Sequence, residues 1–186
     1  MHVTFNFSAS RCVVDVDPEL GLVRVVQMDV AQDAGRVVNP AQAAGQIRGG
    51  SLMGIGLATM EHLQARDGQI LNPSWETYMV PSSVDAPTIN VQFVENAEPG
   101  IPFGMRGIAE LPHVQAPPAV VAAIRAASGQ QVSGMPASPE VVSGVTDGFQ
   151  AMDIVSAGQR PTRGPWKTPR NRDKYGPWQA QVPDQG

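Results

Sequence analysis

The chain has 186 residues, of which 42% are hydrophobic and 16% charged, so it can form one domain with a sizeable core. The net charge is −4, and six of the 13 basic residues lie in the segment from Arg160 to Lys174, so the rest of the chain is acidic. An acidic body argues against nucleic-acid binding, which needs a clustered basic face. The single cysteine, Cys12, excludes a disulfide framework, an iron–sulfur cluster or a cysteine-ligated zinc site built from this chain alone.

Two strands are predicted near the amino terminus. Residues 3–7 alternate, and residues 12–17 form a β-branched run, which together indicate one strand or two short ones. Pro18 and Gly21 then favour a turn, and a second strand is predicted over residues 22–30. This pair is expected to form a β-hairpin.

A glycine-rich helix is predicted next, over residues 41–63, with Pro40 suited to its first turn. Each glycine inside an exposed helix costs about 1 kcal/mol relative to alanine. The five glycines therefore indicate close approach of another backbone or of a flat ligand. They are Gly45, Gly49, Gly50, Gly54 and Gly56.

The remaining elements are a strand over residues 88–95, a Gly- and Pro-rich loop over residues 99–107, and a helix over residues 117–128 ended by Gly129. The predicted fold class is α+β, with antiparallel strands packed against the glycine-rich helix and a second, amphipathic helix. We expect one domain over residues 1–156 and a disordered Pro/Gly/Arg-rich tail over residues 157–186. The sequence shows no signal peptide and no apolar run near the roughly 18 residues of a membrane span, which predicts a cytoplasmic protein without membrane contact.

Two stretches carry a resemblance to a known family. Residues 33–50 read D-A-G-R-V-V-N-P-A-Q-A-A-G-Q-I-R-G-G, and Gly54-Ile-Gly follows. This resembles the pattern D-x-G-x-x-x-N-P, G-Q-x-x-G and G-x-G of the molybdopterin-binding large subunit in the xanthine dehydrogenase/aldehyde oxidase family. Residues 104–112, G-M-R-G-I-A-E-L-P, resemble that family's G-A-K-G-V-G-E-P segment.

The resemblance implies specific site residues. Gln46, with Gly45 and Gly49, would contact the pyranopterin cofactor, and Glu110 would be the catalytic general base on the molybdenum-bound hydroxide. No direct protein ligand to the metal is expected, because the cofactor's dithiolene holds it.

The resemblance also implies a second molybdopterin-binding domain, from the carboxy-terminal part of a longer subunit. The implied activity is oxidative hydroxylation of a heteroaromatic ring or an aldehyde with water-derived oxygen. The cofactor would be molybdenum-molybdopterin, possible also in its cytosine dinucleotide form. Iron–sulfur clusters and FAD would be bound by other domains or subunits. The implied partners are the remainder of the molybdenum-binding subunit, iron–sulfur and flavin subunits, and a small-molecule substrate. The alternative is a truncated, non-catalytic homologue that acts as an assembly or interaction module.

Several residues near these motifs have simpler interpretations. Asp33 and Asn39 are predicted as turn and helix-capping residues rather than ligands. Arg106 is equally compatible with a surface position and with a place beside the substrate. Cys12 is predicted to be a small hydrophobic residue of its strand.

Overall fold

The structure is a computed structural model, and residues 5–145 are the part of the chain that it describes. The first two strands, β1 (Ser8–Asp17) and β2 (Leu22–Asp33), form an antiparallel pair from Ser8 opposite Gln32 to Asp17 opposite Leu22, with an irregularity between Val13 and Val14. The predicted hairpin is confirmed. Its first strand begins later than predicted, at Ser8, while the second continues to Asp33.

Helix α1 (Pro40–Thr59) follows β2. Asn39 has an extended backbone and its side chain accepts a hydrogen bond from the amide of Gln42 at 3.1 Å, which satisfies one of the free donors at the helix start. The predicted capping role of Asn39 and the predicted helix are confirmed. The helix ends at Thr59 rather than at the predicted position 63.

The next strands are a two-residue pair, β3 (Ala65–Arg66) and β4 (Gln69–Ile70), and then β5 (Thr88–Val94). Strand β5 pairs with β2 in parallel, which gives the three-stranded sheet the order β1-β2-β5. The prediction of antiparallel strands is therefore wrong for β5. The long connection through α1 returns the chain to the same end of the sheet, as parallel pairing requires. The α+β fold class is confirmed.

The second long helix, α2 (Glu110–Ser128), begins seven residues earlier than predicted. Pro117 and Pro118 suggested a helix start because proline suits the first turn, but both lie inside α2. Glu110 is consequently the first residue of a helix and not part of a loop. Gly129 ends α2 in the left-handed conformation, as predicted, and a short helix, α3 (Pro139–Ser143), was not predicted.

The core lies between the inner face of the sheet and the two long helices. It includes Met28 and Val30 of β2, Ile47 and Ile55 of α1, and Val120 and Ile124 of α2. Cys12 packs against this core, as predicted for a small hydrophobic residue.

Two of the α1 glycines explain how closely the helices approach. A Cβ on Gly50 would lie 3.1 Å from the Cβ of Pro112, and one on Gly54 would lie 2.7 Å from the carbonyl oxygen of His113. The predicted close approach is thus confirmed for Gly50 and Gly54. A Cβ added to Gly45 or to Gly49 would have no neighbouring atom within 4 Å.

The predicted tail, residues 157–186, and the predicted domain end at position 156 lie outside the described residues. Among residues 5–145, no helix is both long and apolar enough to cross a membrane.

Candidate functional site

The two motif stretches meet in space. Gly35 forms an isolated antiparallel bridge with Met105. The amide of Arg36 donates to the carbonyl of Gly104 at 2.8 Å, and the amide of Arg106 donates to the carbonyl of Ala34 at 3.1 Å. A Cβ on Gly35, which has a φ of +62°, would lie 2.4 Å from the carbonyl oxygen of Gly104, so only glycine suits this contact.

A buried ion pair reinforces the same contact. The Arg106 guanidinium lies 3.4 Å from a carboxylate oxygen of Asp33 and 2.9 Å from one of Glu98, and only 9% of the Arg106 side chain is exposed. The other oxygen of Asp33 accepts from the amide of Gly35 at 2.9 Å, which confirms the predicted turn role of Asp33. The charge of Arg106 is therefore paired and largely shielded from solvent.

An open groove of about 800 Å³ runs along the junction of the two stretches. The first turns of α1 form one wall, including Gly45 and Gln46, both exposed. Ala34 and residues 36–38 continue this wall, and Met105, Arg106 and Ile108 form the other. Gly49 is also exposed, but it is not among the described residues that line this groove.

Glu110 lies just beyond the groove, on an exposed position at the start of α2. Its neighbour Ala109 packs on α1, since a Cβ on Gly50 would lie 3.2 Å from the Ala109 carbonyl oxygen. Gly50 is four residues after Gln46, which is about one helical turn. The structure therefore brings Gln46, Gly45 and the segment before Glu110 to one side of the molecule. The negative charge of Glu110 also lies where the dipole of α2 favours it.

Two further residues hold the segment before Glu110, and sequence reasoning missed both. Gln32 is fully buried, and its amide nitrogen donates to the carbonyl of Ile108 at 3.4 Å. The amide nitrogen of Asn6 donates to the carbonyl of Gly107. A signal for Gln32 existed in the sequence, because it continues the inward-facing alternation of Met28 and Val30 as a polar residue.

Away from the groove, residues 5–145 contain one thiol, Cys12. Burial raises the pKa of the Cys12 thiol to about 11, which disfavours the reactive thiolate. Within the same described range, no group of three or more His, Cys, Asp or Glu side chains is arranged to hold a metal ion.

Comparison with known proteins decides the family. Residues 1–87 match the model of a molybdopterin cofactor-binding domain. Over 75% of its length the chain is 32% identical to a probable xanthine dehydrogenase subunit of Bacillus subtilis (strain 168), of which it covers 19%. The chain belongs to the xanthine dehydrogenase/aldehyde oxidase family of molybdenum-binding subunits. The two sequence motifs predicted this membership.

Solved structures of this molybdenum-binding family share the fold. Quinoline 2-oxidoreductase from Pseudomonas putida 86 matches 69% of the chain with a TM-score of 0.65 and 32% identity. Aldehyde oxidoreductase from Desulfovibrio gigas matches 75% with a TM-score of 0.68 and 30% identity. The chain spans 17% of the quinoline oxidoreductase chain and 15% of the aldehyde oxidoreductase chain. With 19% of the Bacillus subtilis subunit, it spans less than a fifth of each of these three relatives.

The groove residues fit the cofactor of a molybdenum-binding subunit. The amino-terminal end of α1 lies at the groove, and the dipole of a helix start favours anionic groups such as phosphate. The exposed amide of Gln46 can both donate to and accept from a heterocycle edge. At Gly45 no side chain separates the backbone from a flat ligand.

Proposed function

We propose that the chain is part of a molybdenum hydroxylase that hydroxylates a heteroaromatic ring or an aldehyde with oxygen derived from water. The observation that carries this proposal is the contact between the two motif stretches at Gly35 and Met105. Through this contact the groove that includes Gln46 lies beside the segment that leads to Glu110. The names of the relatives, a xanthine dehydrogenase subunit, a quinoline oxidoreductase and an aldehyde oxidoreductase, favour these two substrate classes.

In this proposal α1 binds the cofactor. Gln46 forms hydrogen bonds with the pterin edge, and Gly45 allows its ring system to approach the helix backbone. Gly49, on the next turn and equally free of neighbours, extends the same surface. When bound, the cofactor supplies the oxidant that accepts two electrons from the substrate. The cytosine dinucleotide form of the cofactor would add phosphate groups that suit the start of α1.

Glu110 is the proposed general base. Hydroxylation replaces a C–H bond of the substrate by C–OH and releases two protons and two electrons, so the attacking oxygen must lose a proton. The exposed carboxylate of Glu110 accepts that proton at one of its Oε atoms. A general base of this kind contributes typically about 10²–10⁴-fold to the rate.

The proposed partners complete the site. The remainder of a molybdenum-binding subunit would supply the other walls of the substrate pocket, because this chain spans less than a fifth of its relatives. Seven large hydrophobic residues between positions 63 and 84 are more than a third exposed, including Trp75 at 81% and Val84 at 88%. Such a surface is typical of an interface. Iron–sulfur and flavin domains or subunits would carry the electrons onward.

The test uses the natural complex, isolated through an affinity tag on the chromosomal copy of the chain. We expect molybdenum and a fluorescent pterin in near-stoichiometric amounts, and dye reduction with quinoline or benzaldehyde as trial substrates. Glu110→Gln should lower turnover by about 10²-fold or more while molybdenum is retained. Gln46→Ala should lower the molybdenum content.

The matched control is Glu140→Gln, which removes a glutamate from the first turn of another helix, α3. It should leave both molybdenum content and turnover unchanged. A complex without molybdenum would overturn the proposal in favour of a non-catalytic assembly module. Full turnover by Glu110→Gln would overturn the assignment of the base.

A further inference from the structure

Arg106 occupies an unusual place for an arginine. It lies four residues before Glu110, and 91% of its side chain is removed from solvent, since 9% is exposed. Arginine is almost never fully buried unless it is paired. Here the guanidinium joins two separate parts of the fold, Asp33 at the end of β2 and Glu98 in the loop after β5. It also donates to the carbonyl of Phe5.

The residues around Arg106 are held in the same way. The amide of Arg106 donates to Ala34, while the carbonyls of Gly107 and Ile108 accept from the side chains of Asn6 and Gln32. Each residue from 106 to 108 thus forms a hydrogen bond with a residue near the start of β1 or the end of β2. The guanidinium differs from these partners because it links the segment to Glu98 as well as to β2.

Within the described part of the chain, Glu110 has no comparable support of its own. Its side chain is exposed, and the preceding residue Ala109 makes no side-chain cap on α2. The place of its Cα, and with it the region that its carboxylate can reach, is therefore set by the backbone before it and by the packing of α2 on Gly50 and Gly54 of α1.

We propose that Arg106 is the positioning residue for Glu110, and that its ion pairs with Asp33 and Glu98 fix the carboxylate relative to the groove of Gln46. This inference rests on the proposed function, in which Glu110 is the base. The planar guanidinium suits the role because its two terminal nitrogens each face a different carboxylate, that of Asp33 and that of Glu98, whereas lysine presents one flexible point charge. Misplacement of a reacting group by about 1 Å can lower a rate by about 10²-fold.

The experiment compares three variants in the tagged natural complex: Arg106→Met, Arg106→Lys and Arg11→Met. Arg11 is the matched control, because it also forms an ion pair, with Asp29 at 2.7 Å, but its side chain is 71% exposed. Four quantities are measured: molybdenum content, kcat and KM for the trial substrate, and hydrogen exchange of the amides in residues 105–114.

We expect Arg106→Met to lower kcat per bound molybdenum by about 10- to 100-fold, with KM within about twofold of the unmodified complex. Exchange in residues 105–114 should become faster. Arg106→Lys should restore part of kcat and part of the protection from exchange, and Arg11→Met should change none of the four quantities. If Arg106→Met does not assemble, Arg106→Lys alone decides, by a lowered kcat at unchanged KM.

Two results would overturn the inference, and they differ from each other. If Glu110→Gln abolishes turnover while Arg106→Met and Arg106→Lys both keep full kcat, the positioning role is wrong and the proposed base stands. If Glu110→Gln keeps full turnover, the proposed base is wrong, and the positioning role is lost with it. A loss of molybdenum in Arg106→Lys equal to its loss of kcat would assign Arg106 to cofactor retention instead.

Discussion

Gly54 of α1 and Ala116 of α2 lie so close that a Cβ added to Gly54 would be 2.7 Å from the Cβ of Ala116. The same atom would be 2.7 Å from the carbonyl oxygen of His113, which is backbone and cannot move aside alone. The contact between the helices therefore requires glycine at this position. Since α2 begins at Glu110, the contact also helps to determine where the candidate base lies.

Gly54→Ala should lower the free energy of unfolding by about 1–3 kcal/mol, the usual cost of an extra methyl group in a packed interior. Gly49→Ala is the matched control in the same helix, because no atom lies within 4 Å of its added Cβ. It should raise stability by about 0.5–1 kcal/mol through helix propensity. Urea unfolding followed by circular dichroism measures both changes. Equal effects of the two substitutions would contradict the packing shown at Gly54.

Asn72→Ala should lower the free energy of unfolding by roughly 1–3 kcal/mol, because it leaves buried polar groups without partners. Asn72 is 6% exposed and accepts from the amide of Gln64 at 2.8 Å. It also donates to the carbonyls of His62 and Thr77. Limited proteolysis should then cut between residues 61 and 80 more rapidly.

The control for Asn72 is Asn90→Ala, which removes one exposed hydrogen bond, to Asp29 at 2.7 Å. This substitution should change stability by less than about 0.5 kcal/mol, as is usual on a surface. A loss as large as that of Asn72→Ala would show that burial does not determine the cost.

Asn39→Ala should lower the free energy of unfolding by about 1 kcal/mol through loss of the cap on α1. Asn39→Asp, which keeps an acceptor oxygen for the Gln42 amide, should retain most of that stability. Thermal unfolding of the three proteins at one pH measures the difference. If the aspartate variant is as unstable as the alanine variant, the cap hydrogen bond does not account for the effect.

Cys12 should react slowly with iodoacetamide. Its pKa is raised from 9.0 to about 11 by burial, so at pH 8 the thiolate is about 100-fold less populated than in a free thiol. Mass spectrometry of the alkylated protein should show a rate lower by about that factor, which is restored in concentrated urea. Rapid alkylation of the folded chain would contradict the burial of this thiol.

The same shift makes stability depend on pH. The folded chain holds the Cys12 proton more tightly than the unfolded chain, so this contribution to stability is complete below about pH 9 and is lost as pH rises towards 11. Cys12→Ala should lack this part of the alkaline loss. The measurement is urea unfolding of both proteins at pH 8, 9, 10 and 11.

The regular elements could be predicted from the sequence because they are set locally. The hairpin of β1 and β2 follows from alternation and the turn at Pro18, and α1 follows from the Asn39-Pro40 start. The partner of β5 and its direction could not be predicted, since sheet pairing between residues 61 positions apart, such as Met28 and Ile89, leaves no local pattern. The start of α2 could not be predicted, because Pro117 and Pro118 suggested a first turn, whereas both lie inside the helix.

The candidate site could be predicted only in part, because the sequence shows local motifs and not the contacts between distant residues. Gln46 and Glu110 could be proposed from the sequence because they stand within motifs, whereas Gln32 and Glu98 stand outside both motifs, and their contacts appear only in the folded chain. The sequence left Arg106 equally compatible with a surface position and with a place beside the substrate. Its burial against Asp33 could not be predicted, because a charged side chain is by default a surface residue.

The parallel pairing of β5 with β2 determines when the groove forms during folding. One wall of the groove comes from residues 34–46 and the other from residues 105–108, and the chain between them must cross over the sheet before the two can meet. An incompletely folded chain, for example one still being synthesised, therefore has no groove. Any molecule that occupies the groove would bind only the finished fold, and its occupancy would protect that fold from unfolding and degradation.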